Sequence, residues 1–121
     1  MKSKSFLFIN RKVFFGNSHI VEMLDVALIA ASLNQHVHLA FLDDGVFQLI
    51  KLHEQNILSR ETFEVSLINI ADFNNIDHVW VERESLIERG LGESDLKIPI
   101  TVIDRVTLSN IMNDIDVIVS V

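Results

Sequence analysis

The chain has 121 residues, 10 basic and 17 acidic, with a net charge of −7, 49% hydrophobic residues, a mean hydropathy of +0.32 and no cysteine. That length suits one domain spanning residues 1–121, and the missing thiol excludes disulfides, thiolate metal sites and a thiol nucleophile. The acidic balance argues against direct contact with nucleic acid, whose affinity comes from clustered Lys and Arg, and the apolar excess places surplus surface in contacts between subunits.

Ser5 to Asn10 reads as a first strand, apolar in its middle as a strand buried on both faces is. It follows two lysines, yet Asn10-Arg11-Lys12 ends the run Phe6-Leu7-Phe8-Ile9 too soon for a signal peptide. The longest apolar run, Val26 to Leu33, is too short to cross a bilayer, so a cytoplasmic protein without a membrane partner is expected. Arg11 to Asn17 is a loop carrying Phe14 and Phe15, and Asn17 or Ser18 can cap a helix from about His19 to Asn34. Ile20, Leu24, Ala27, Leu28 and Ala31 form one stripe of this helix. Met23, Val26, Ala30 and Leu33 form a second. One stripe can face a sheet; the other needs a neighbouring helix or another subunit.

His36 to Leu42 is a second strand, Asp43-Asp44-Gly45 a corner, and Val46 to Leu52 a helix. Ser59 can cap a helix of about Arg60 to Phe73, and Asn74-Asn75 makes a turn. His78 to Val81 is a third strand, leading into a short helix from about Glu84 to Arg89 that ends at Gly90. Ile98 to Ile103 is a fourth strand with Pro99 at its start, Thr107 can cap a helix through Asn113, and Asp116 to Val121 is the last strand. Strands separated by helical segments imply right-handed crossovers and a five-stranded, mainly parallel sheet in a three-layer αβα, flavodoxin-like domain. In such sheets function gathers at the carboxyl ends of the strands, here Asn10 to Asn17, Asp43-Asp44, Glu82 to Ser85 and Asp104-Arg105.

The candidate chemistry is sparse. Asp43-Asp44 can hold a divalent cation or accept a phosphoryl group, but the pair reads better as a helix start that Asp44 caps, both charges favouring its positive end. His36 and His38 alternate on one face of a strand, and zinc would need a third ligand. Four glycines build neither a GxGxxG turn nor a Walker loop, so no nucleotide cofactor is expected. Phe14, Phe15 and Phe47 can stack on a flavin, although aromatics at loop and helix-start positions more often plug an interface or the domain's own core. The residues alone pick out no catalytic, cofactor-binding or metal site.

The stretches HIVEMLDVALIAASLNQHVHLAFLDDGVFQLI, HVWVERESLIERGL and DIDVIVSV resemble the DsrE/DsrF-like sulfur-relay family, and most its TusC (DsrF) branch. The most specific pieces are Phe41-Leu42-Asp43-Asp44-Gly45-Val46-Phe47-Gln48-Leu49 and Ser85-Leu86-Ile87-Glu88-Arg89-Gly90-Leu91. The resemblance implies a heterohexamer, a dimer of heterotrimers with TusB-like and TusD-like subunits of the same fold. Such a complex takes persulfide sulfur from TusA and passes it through TusE towards 2-thiolation of the tRNA wobble uridine. In sulfur-carrying relatives the working cysteine lies just after the third strand, which falls at or near Glu82 here. A carboxylate cannot carry a persulfide. The expected role is therefore a non-catalytic structural subunit, with Phe14, Phe15, Phe47 and Gln48 at partner contacts. The alternative is a stand-alone flavodoxin-like ligand-binding protein or enzyme using Asp43 and Asp44, which requires a concave pocket at the strand ends.

Overall fold

A computed structural model describes residues 3–12, 26–27, 29–49, 76–96 and 100–120. Its five strands are β1 (Ser5–Asn10), β2 (His36–Phe41), β3 (Ile76–Glu82), β4 (Thr101–Ile103) and β5 (Val117–Ser120). They form one sheet in the order β4-β3-β2-β1-β5, every neighbouring pair parallel. The expected flavodoxin-like arrangement is thus observed, and strand ends fall close to those read from the apolar runs. Residues 97–99, with Pro99, lie outside the described residues, as does the expected helix of residues 60–73.

The strand order fixes the layers. From β1 to β4 the chain steps always in one direction, and it then returns past β1 to place β5. A right-handed crossover that reverses direction must lie on the opposite face of the sheet. The first face accordingly holds Phe8, Leu39, Phe41 and Val81 under Ala27 and Ala31, under Val46 and Leu49, and under Leu86 of helix α1 (Arg83–Glu88). The second face holds Leu7, Ile9, Ala40 and Trp80 under Leu108 of helix α2 (Arg105–Asn113), the element between β4 and β5. Both faces of the central strands are therefore apolar, as their unbroken hydrophobic runs require.

Residues 29–32 end a helix, and Asn34 follows in the left-handed conformation (φ 64°) that such ends use. Ala27 and Ala31 of the first stripe are buried, while Val26, Ile29 and Leu33 are 53%, 61% and 65% exposed. This bare stripe is the second face expected of the helix, with Ile29 in the place given to Ala30.

Two local expectations are corrected. The helix expected from Val46 to Leu52 starts earlier, at the corner itself, and winds as a 3-10 helix over Asp43–Leu49; residues 50–52 lie outside the described residues. It starts in a tight corner where Gly45 N–H donates to the Leu42 carbonyl at 3.0 Å, and a Cβ on Gly45 would lie 2.0 Å from the Asn10 carbonyl oxygen. Helix α2 begins at Arg105, capped by Asp104, whose carboxylate accepts from the Thr107 N–H at 2.7 Å. Thr107 is the residue being capped. Gly90 does end α1, at φ 71°.

Candidate functional site

Alternation along β3 puts Glu82 on the second face with Trp80, at the carboxyl end of the sheet. Its side chain is 4% exposed, a burial a carboxylate tolerates only when its oxygens are occupied. Arg105 Nε donates to Oε2 at 3.0 Å and Arg105 Nη2 to Oε1 at 3.1 Å. The Ser85 hydroxyl, one turn into α1, donates to Oε1 as well. Burial alone would push the Glu82 carboxyl up; the hydrogen bonds from Arg105 and Ser85 outweigh it and hold it below the usual carboxylate range. Glu82 raises Arg105 in turn, so both groups stay charged at neutral pH.

Ser85 ties this pair to the corner after β2, its oxygen accepting from the Asp43 N–H at 2.8 Å. Asp43 stands at φ 52°, a left-handed conformation that aspartate adopts more readily than most side chains. Its carboxylate accepts from Arg11 Nε at 2.8 Å. Asp44, expected to cap a helix, accepts from Arg89 Nε at 3.0 Å. The two sequence pieces that carry the resemblance are therefore hydrogen-bonded to each other twice, Ser85 to Asp43 and Arg89 to Asp44. Both aspartates are engaged by arginines, which leaves them poorly placed to serve as open metal or phosphoryl ligands.

A cleft of about 360 Å³ lies beside Glu82 on the second face. Its walls are Ile9 of β1, Leu42 after β2, Ile118 of β5, and Leu108 and Met112 of α2. Polar groups at it are Arg11, Glu82, Arg105, Ser109 and Ser120. Asp43 and Asp44 are not among the residues that line it.

The strand histidines make a second cluster at the other end of the sheet. A bulge between Val37 and His38 sets Asp77 as an extra residue in β3 and brings His38 level with His78. The two Nδ1 atoms are 3.1 Å apart, one ring donating to the other, and Trp80 stacks within 5.2 Å of His38 and 4.8 Å of His78. His36 Nδ1 meets the Asp77 carboxylate at 3.0 Å. Burial, then the neighbouring His78, lowers the His38 pKa against the pull of Asp77.

Of the partner-contact residues expected from sequence, Phe14 and Phe15 and the Gln48 side chain lie outside the described residues. Phe47 is half-buried against the first-face core. In the sequence, Glu82 stands out only through the resemblance, Arg105 only as a strand-end residue, and Ser85 only as a member of the second motif. The available signal was the pairing of a strand-end acid with a basic residue at the next strand end.

A parallel αβα sheet whose carboxyl-end centre is a salt-bridged carboxylate, with no thiol anywhere in the sequence, defines a flavodoxin-like domain without a sulfur nucleophile. The model of the DsrE/DsrF-like family matches residues 4–121, and the chain belongs to that family. It is 32% identical to the intracellular sulfur oxidation protein DsrF of Allochromatium vinosum, over 97% of this chain and 96% of that protein. It is 30% identical to a TusC homolog of Pseudomonas aeruginosa, over 98% of both chains. The crystal structure of the YchN protein from E. coli superposes with a TM-score of 0.71 over 99% of this chain and 100% of that one, at 15% identity, a likeness of fold alone.

Proposed function

We propose that this chain is a non-catalytic structural subunit of a TusBCD-type sulfur-relay complex, a single DsrE/DsrF-like domain working in the cytoplasm. The observation that carries the reading is Glu82. At the place where the resemblance puts a persulfide-bearing cysteine, this chain has a buried carboxylate held by Arg105 and Ser85. A carboxylate so held offers no nucleophilic sulfur, and the sequence contains no cysteine to replace it. The similarity to proteins named DsrF and TusC supports the relay assignment. The bare stripe Val26, Ile29 and Leu33 supports assembly, since a contiguous exposed apolar stripe is a feature of contact surfaces.

On this reading the partners are TusB-like and TusD-like subunits in a dimer of heterotrimers, with Phe14, Phe15, Phe47 and Gln48 near the contacts. TusA delivers sulfur to the complex and TusE removes it, towards 2-thiolation of the tRNA wobble uridine. This subunit holds neither sulfur nor tRNA. Native mass spectrometry of the chain co-expressed with TusB-like and TusD-like proteins tests the proposal. The expected result is a stoichiometric complex; a stable monomer that leaves both partners free would sink it.

A further inference from the structure

We infer that the cleft between β1, β5 and α2 binds a small organic monoanion with a short apolar body. The strand order places it. The connection leaving β1 runs over the first face and the one entering β5, helix α2, over the second, so a second-face crevice beside β1 and β5 is roofed by α2. The cleft occupies that crevice, with Ile9 on one side, Ile118 on the other and α2 above. Its volume of about 360 Å³ lies in the range of small-molecule sites, about 300–1,000 Å³.

The lining selects the chemistry. Aliphatic side chains and Met112 make the walls, which suits an alkyl or similarly apolar body. At the polar side, both Glu82 oxygens are filled by Arg105 and Ser85, so this carboxylate has little capacity left for a ligand donor. Donors remain. Arg11 uses Nε on Asp43, and its terminal nitrogens have no protein partner among the described residues. Arg105 likewise keeps Nη1, and the Ser109 and Ser120 hydroxyls are also without partners among the described residues. A site that offers guanidinium and hydroxyl donors over an apolar wall matches an acceptor-only, negatively charged head. This inference does not depend on the relay reading, because it concerns a site within the isolated chain.

Calorimetric titration of the full chain with sodium octanoate tests it, with 1-octanol as the uncharged comparison and amide chemical shifts of Met112 and Ile118 as a second readout. Saturable binding is expected, with both amides shifting. Ser109→Phe, at an exposed α2 position, should fill the cleft and abolish binding, while Arg11→Ala should weaken it roughly tenfold, the value of one charged hydrogen bond. Octanol should bind weaker by a similar factor. Absence of saturable heat and of shifts at Met112 and Ile118 would overturn the inference. So would octanoate binding that survives Ser109→Phe unchanged, or octanol binding as tightly as octanoate.

Discussion

Arg105 grips Glu82 with two nitrogens, Nε on Oε2 at 3.0 Å and Nη2 on Oε1 at 3.1 Å, and so joins the end of β3 to the first turn of α2. The planar fork of a guanidinium matches the two oxygens of a carboxylate, a geometry that lysine cannot reproduce. Together with Ser85 the pair stabilises a charge that the sheet would otherwise expel.

The pH dependence of folding should carry this signature. Because the folded Glu82 carboxyl lies below its ordinary 4.5, its stabilisation is complete above that pH and is lost as pH falls through the folded value. Urea midpoints measured at stepped pH should therefore show an acid limb that flattens in Glu82→Gln. At neutral pH the same substitution should cost about 1–3 kcal/mol through weakened charged hydrogen bonds. An unaltered acid limb would assign it to other carboxylates.

A second, higher window belongs to His38, which faces His78, Asp77 and His36. Its folded pKa lies below 6.5, so the unfolded chain takes up the proton first, and stability should decline as pH drops below 6.5. His38→Phe keeps a ring against Trp80 and takes no proton. In that variant the decline between this window and the Glu82 window should shrink, measured by the same urea series.

Gly45 has no room for a side chain, since a Cβ would sit 2.0 Å from the Asn10 carbonyl oxygen. Gly45→Ala must displace the end of β1 or the 3-10 helix, with an expected loss of about 3 kcal/mol. Gly92→Ala is the control: nothing lies within 4 Å of its added methyl, so its effect should stay within about 0.5 kcal/mol. Equal unfolding midpoints for the two variants would contradict the packing argument.

Ile29→Glu and Leu33→Glu alter side chains that are 61% and 65% exposed. The unfolding midpoint of the isolated chain should hardly move, within about 0.5 kcal/mol, whereas recovery of TusB-like and TusD-like partners after co-expression should fall sharply. Phe47→Ala is the parallel test of the corner. Undiminished recovery in all three variants would mean that the contacts lie elsewhere on the surface.

The strands were legible because each is a short apolar run, and burial on both faces writes itself directly into composition. The helix ending near Asn34 is legible in part through its period: Ala27 and Ala31 are buried and Val26 and Leu33 bare as expected, whereas Ala30, read with the bare stripe, packs against the core. Partnerships across long separations were not legible. Asp43 and Asp44 suggest a metal corner or a cap when read alone, and only the fold brings Arg11 and Arg89 to them, 32 and 45 residues away. Likewise Asp104 and Thr107 are both good capping residues, and the choice between them depends on where α2 starts. A seven-residue segment such as Asp43–Leu49 is too short for its period to separate 3-10 from α winding. The lining of the cleft is not legible because its walls, from β1, the end of β2, β5 and α2, are brought together only by the fold.

The sole tryptophan of the sequence, Trp80, lies nearly parallel to two imidazoles, with interplanar angles of 7° to His38 and 10° to His78. An imidazolium against an indole ring is a quencher of its excited state, and neutral imidazole much less so. The emission of this protein is therefore an optical record of the His38 proton, readable without any label. Every fluorescence experiment on the chain will report that proton along with whatever else it was designed to follow.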